Sequence, residues 1–224
     1  MIRVLKIGPS RVSLLPVIRG LVSEAEKVRG AIHDGDYDAV ALSISPEELD
    51  VLLNKSHIQA PPSGIEEELY MRELRRFGPV EKPPPCFVEA ARVATLLHLD
   101  CLPLDMDEEE FTELYCREVS GLEMIRESRN LKRLPDIRFD MQTPEELVIQ
   151  LDATINRYKG RRRVEEAREA HIASTLSSLC REEMSLIALV EWERFDGVYR
   201  RLQRSASRAP PDYSELPKAF SSWI

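Results

Sequence analysis

Met184-Ser185-Leu186-Ile187-Ala188-Leu189-Val190 runs directly into Glu191-Trp192-Glu193-Arg194-Phe195-Asp196-Gly197. Apart from Ser185 the first seven residues are apolar with no polar alternation, which reads as a strand buried on both faces, as parallel sheets require. The second stretch is charged and ends in glycine. It therefore reads as the turn at the carboxyl end of that strand, where α/β proteins usually place their ligand-binding groups. Residues 4–7 and 39–44 carry the same apolar signature, 99–104 offer a fourth strand, and 137–141 offer a weaker edge strand. Helix-period segments separate them. The alternation predicts an α/β fold, with a mainly parallel central sheet covered by helices and carrying helical insertions.

Helix starts are legible along the chain. Ser45-Pro46-Glu47-Glu48 and Thr143-Pro144-Glu145-Glu146 each supply a capping hydroxyl, a proline suited to the first helical position and a glutamate placed to close a capping box. Asp107 before Glu108-Glu109-Glu110 is a third start. The helix it opens is expected to place Phe111, Leu114, Tyr115, Val119, Leu122 and Ile125 on one packed stripe. Two proline-rich loops, Gln59-Ala60-Pro61-Pro62-Ser63-Gly64 and Glu81-Lys82-Pro83-Pro84-Pro85, bracket a helix over about 65–77. That helix reads either as a cover over a site or as a stiff connection between core elements.

The chain has 224 residues, enough for a substantial core, and residues 1–204 read as one domain. Residues 205–224 have loop composition with isolated Tyr213, Leu216, Phe220, Trp223 and Ile224, a tail that packs across its own domain or docks on a second copy. Lys and Arg total 31 against 39 Asp and Glu, a balance of -8 that argues against broad attraction to nucleic-acid phosphates. The tract Arg161-Arg162-Arg163 is the local exception, read as a solvated helix start or as a small anion contact. No apolar run is long enough to span a bilayer and no leader precedes the first strand, so a soluble cytoplasmic protein is expected, with homodimerisation the commonest state for its class.

Metal and nucleophile signals are weak. Cys86, Cys101, Cys116 and Cys180 lack Cys-x-x-Cys spacing, and His33, His57, His98 and His171 are scattered, so neither a metal nor a cofactor is expected. There is no Gly-x-Ser-x-Gly elbow and no phosphate-cradling Gly-x-x-x-x-Gly-Lys loop. A second ligand-bearing loop is expected after the first strand, at Gly8-Pro9-Ser10-Arg11-Val12-Ser13. Both expected loops carry an arginine and neither carries a histidine.

Taken in order, the strand ending at Gly8, the strand over 39–44, the helix-strand pair over 89–107, the helix around Arg168 and the strand-loop-helix over 186–202 resemble the TraB/PrgY family. That family is similar in turn to the TIKI metalloproteases, the erythromycin esterases and the haem-binding ChaN-like proteins. The resemblance implies a Gly-x-x-His turn where this chain has Gly8-Pro9-Ser10-Arg11, a glutamate where it has Ser43, and a second histidine where it has Glu191-Trp192-Glu193-Arg194. Gly8, Asp105, Arg168 and Gly197 keep the family's residue types.

Arginine has no lone pair to offer a metal ion, so these replacements imply a scaffold without its metal-dependent hydrolytic centre. The resulting expectation is a pseudoenzyme in which Arg11, Arg168 and Arg194 converge on a small anionic ligand near Ser43, Gly8 and Gly197 form turns, and Asp105 orients an arginine. Two alternatives remain open. One is a hydrolase with a rebuilt carboxylate or Mg²⁺ site using Glu191, Glu193, Asp105 and Asp107. The other is a non-catalytic interaction module.

Overall fold

The computed structural model describes residues 1–54, 64–131, 137–180 and 184–206. Residues 59–63 of the expected loop 59–64 and residues 207–224 of the expected tail lie outside the described residues. The chain is α/β. Strands β1 (Arg3–Ile7), β2 (Ser10–Val17), β3 (Ala39–Leu42), β4 (Asp100–Pro103) and β5 (Ser185–Glu191) form one sheet in the order β1-β2-β5-β3-β4. All pairs are parallel except β1 with β2.

Strand β2 departs from the sequence reading. Gly8, with φ +58, turns the chain back at once, and Ser10 to Leu14 pair antiparallel with β1 while Arg11 to Val17 pair parallel with β5. Val12 and Leu14 face one side of the sheet while Leu15 and Val17 face the other, so this run is a buried strand and not a ligand loop. Pro16 disguises it by reading as a strand breaker, yet it sits one residue from the strand end and costs only a single donor. Residues 137–141 form no strand; Phe139 instead packs among the helices above the sheet.

Helices α1 (Ser23–His33), α2 (Pro46–Leu53) and α4 (Pro85–Leu97) cover one face, where Val28, Ile32, Leu49, Leu52, Phe87, Ala90, Val93 and Ala94 meet Val40, Leu42, Ile187 and Leu189. The other face is covered by α8 (Lys159–Leu179) and α9 (Trp192–Ala206), through Ile172, Ala173, Leu176, Phe195, Val198 and Leu202. Helices α3 (Ile65–Leu74) and α7 (Pro144–Ile155) share a further cluster with Ile18 and Leu21, just beyond the carboxyl end of β2. Helix α5 (Glu108–Glu118) packs on α8 through Leu114, Val119 and Val164, and α6 (Gly121–Leu131) follows it. These elements build a helical cap over one end of the sheet.

The long stripe expected after Asp107 is two helices. Ser120 Oγ accepts from the Glu123 backbone N–H at 3.3 Å and Glu123 Oε2 accepts from the Ser120 backbone N–H at 3.4 Å, a capping box that starts a new helix. Leu122 and Ile125 are consequently exposed, at 69% and 53%. The other expected starts hold: Ser45 and Glu48 cap reciprocally, Thr143 Oγ1 accepts from the Glu146 N–H, and Asp107 Oδ1 accepts from the Glu110 N–H. Among the described residues no helix is long and apolar enough to cross a membrane.

Candidate functional site

The crevice lies at the carboxyl ends of the parallel strands, between the sheet and its cap. Strand β5 delivers Glu191 as its last residue, and α9 begins at the next position, so Glu193 and Arg194 occupy its first turn and no intervening loop exists. Gly197 is accordingly a helical residue, not a turn former. It matters for packing instead, because a Cβ there would meet the Glu169 carboxylate at 2.1–2.2 Å. Strand β3 ends beside Ser43, whose N–H donates to the Leu189 carbonyl at 3.0 Å, and beyond β4 the Asp105 N–H donates to the Ile44 carbonyl at 3.1 Å.

The chain leaving β2 supplies Arg19, which the sequence reading did not single out. Glu24 Oε2 accepts from the Ile18 N–H at 3.1 Å, Gly20 turns the backbone at φ +94, and its carbonyl accepts from the Glu81 N–H at 2.9 Å. Arg19 is thus held from both sides. The sequence does carry a signal for it: an apolar run followed by an arginine and a glycine repeats the logic that located Arg194.

These groups form one ion-pair network. Ser43 Oγ donates to Glu191 Oε2 at 2.5 Å, and Glu191 Oε1 lies 3.0 Å from Arg194 Nη1 and 4.0 Å from Arg19 Nε. Arg194 Nε donates to Glu165 Oε2 at 2.9 Å. Glu165 Oε1 also accepts from Arg168, which donates to Asp105 through both Nε and Nη2. Arg19 Nη2 donates to Glu193 Oε1 at 3.1 Å and its guanidinium lies over the Tyr70 ring. Burial alone would push the Glu165 carboxyl up, but Arg194 and Arg168 outweigh it and hold the group down to about 2. Glu191 is likewise held below its ordinary range, against burial, by Arg194, Arg19 and the Ser43 hydroxyl.

Above the network is a cavity of about 350 Å³. Among its described lining residues Arg19, Lys82, Arg161, Arg168 and Arg194 are cationic, while Glu66, Glu67, Glu81, Asp152, Glu165 and Glu193 are acidic. Tyr70, Phe111, Val148 and Leu151 complete much of the wall. Arg161 pairs with Glu66 and with Glu127, at 3.0 and 3.3 Å, and is only 16% exposed, so the first residue of the basic tract is a wall residue rather than a solvated one. Helix α3 contributes Glu66, Glu67, Tyr70 and Met71 and serves as the roof.

Six buried side-chain polar atoms in the described residues lack a hydrogen-bond partner, and five belong to residues of this wall: Arg19 Nε, Tyr70 OH, Arg161 Nε, Glu193 Oε2 and Arg194 Nη1. Arg194 Nη1 sits near Glu191 but does not direct an N–H at it, so charge is compensated there while the donor stays uncommitted. Unsatisfied buried groups are costly, and five of these six belong to residues around one cavity.

The expected site is therefore half assembled. Ser43, Asp105, Arg168 and Arg194 come together, with Asp105 fixing Arg168 as expected of a group that orients an arginine. Gly8 and Arg11 do not join them. Arg11 pairs with Ser185 at the opposite end of β5 from Glu191, roughly 20 Å away at strand rise, and is exposed. Gly8 makes a turn, but at that far end, where a Cβ would lie 3.4 Å from the Cys180 carbonyl.

The alternative carboxylate centre is not assembled either. Asp107 caps α5, Asp105 is bonded to Arg168, Glu191 is engaged by Ser43 and Arg194, and the described residues contain no trio of His, Cys, Asp or Glu able to hold a metal ion. No family model matches the chain, and no curated protein is significantly similar to it.

Proposed function

We propose that this chain is a small-molecule-binding protein on a TraB/PrgY-like scaffold, which holds an anionic group between Arg19, Arg168 and Arg194 and uses no metal-dependent hydrolytic centre. The observation that carries this reading is the pair of buried guanidinium N–H groups, Arg19 Nε and Arg194 Nη1, left without acceptors in the wall of a 350 Å³ cavity. A guanidinium offers only donors, and the groups best matched to two of them are carboxylate and phosphate oxygens. The amino end of α9 adds the positive pole of a helix to the same crevice. Each arginine already has a carboxylate counterion, so the cavity suits one small anionic group and not a polyanion.

Arg19 gives the cleanest test, because its side chain is 40% exposed and can be removed without emptying the core. Calorimetric titration with phosphate and with short carboxylates should show saturable binding to the wild type, weakened at least about tenfold in Arg19→Ala, the loss expected for one charge-assisted contact. Absence of binding to both anions, or binding indifferent to Arg19→Ala, overturns the proposal.

A further inference from the structure

The same wall carries an acceptor that a bare carboxylate cannot satisfy. Glu193 has one carboxylate oxygen on Arg19, while the other, Oε2, is buried without a partner, and the whole side chain is only 5% exposed. A carboxylate oxygen can only accept, and no described residue donates to this one. Glu66, Glu67 and Asp152 lie on the same wall, where acidic side chains outnumber basic ones six to five. The Asp152 carboxyl on that wall is pushed up to about 6, first by burial and then by Glu165 and Glu193.

We infer that the ligand is zwitterionic: a small molecule whose anionic end meets the uncommitted N–H groups of Arg19 and Arg194, and whose ammonium or guanidinium end donates to Glu193 Oε2. This rests on the anion-binding reading above and adds the cationic end. Unmatched donors and an unmatched acceptor around one cavity of this size are complementary to a molecule carrying both signs of charge. A dianion would bring its second charge against Glu193, and a diamine would bring its second charge against the arginines. Each loses where the zwitterion gains.

The experiment compares compounds of equal length on the wild-type protein by calorimetry: butyrate, succinate, 1,4-diaminobutane, 4-hydroxybutyrate and 4-aminobutyrate, with the six-carbon homologues alongside. The aminocarboxylate at one or both lengths should bind at least about tenfold more tightly than its carboxylate, dicarboxylate, diamine and hydroxycarboxylate counterparts. Glu193→Gln should abolish that advantage. If the plain carboxylates bind and the amine confers no advantage at either length, the zwitterion inference falls and the anion reading stands. Binding of the diamines alone, or of none of the compounds, overturns the zwitterion inference, and absence of phosphate binding as well overturns the anion reading. The wild-type comparison decides the matter even if the variant fails to fold.

Discussion

Glu191 and Arg194 illustrate how costly buried charge is retained here. Both side chains are at least nine-tenths buried, and each is tied to more than one neighbour, the condition under which a buried ion pair is tolerated. Among the described residues Asp152 stands at the edge of this network with no ion-pair partner, its side chain accepting from the Asn156 amide at 2.7 Å. Its folded-state carboxyl, pushed up to about 6, exceeds the ordinary value of 3.8, so the folded chain binds that proton more tightly than the unfolded one. Stability from this group is then fullest below about pH 4 and is lost as pH rises through about 6. Asp152→Asn is expected to stabilise the protein by about 1–2 kcal/mol near pH 7 and to make no difference below about pH 4, measured by urea unfolding at both pH values. Glu165 has the opposite sign. Its contribution is present above 4.5 and is lost as pH falls towards about 2.

At the scale of elements, the break between α5 and α6 decides how the cap is built. Ser120 and Glu123 cap α6 reciprocally, and Glu123 Oε1 also accepts from the Gly160 N–H at 2.8 Å, tying α6 to the start of α8. Gly160 must be glycine for the same junction, since a Cβ would stand 2.5 Å from the Glu118 carbonyl. Ser120→Ala should cost about 1 kcal/mol, the usual value of an N-cap, and Glu123→Ala should cost more because it uncaps two helix starts at once. Chemical denaturation of the two variants checks the order, and a larger loss from Ser120→Ala contradicts it. The same Ser-x-x-Glu pattern was read correctly at Ser45. At Ser120 an unbroken apolar stripe concealed it, because Leu122 and Ile125 continue the helical period across the break even though they face solvent.

Over the whole molecule the sheet separates Arg11 from the arginines of the crevice. Gly8, Ser10 and Arg11 belong to the amino-terminal end of the parallel strands, where Ser10 Oγ accepts from the Met184 N–H at 3.2 Å and closes the join between β2 and β5. The crevice is at the other end. Arg11→Ala should therefore change stability by less than about 0.5 kcal/mol and leave anion binding untouched, in contrast to Arg19→Ala, with calorimetry and thermal unfolding as the readouts. A loss of binding in Arg11→Ala contradicts the proposed placing of the anion at the other end of the sheet.

The sequence by itself determined the α/β class, most of the sheet and the helix starts, because buried parallel strands and capping residues leave local signals: uninterrupted apolar runs, and Ser, Thr or Asp with acidic residues in the turn that follows. It also placed Ser43, Asp105, Arg168, Glu191 and Arg194 at strand ends or on the helices beside them. Only the tertiary structure decided which arginines share a cavity. Gly8-Pro9 looks the same to local reading whether it opens a ligand loop or a hairpin, and the pairing of β2 with β5, over 160 residues away, resolves it by sending Arg11 to one end of the sheet and Arg19 to the other. The gathering of Tyr70, Asp152, Glu165 and Glu193 around one space is likewise a product of long-range packing, for nothing in a helical charge pattern distinguishes a solvated face from the wall of a pocket.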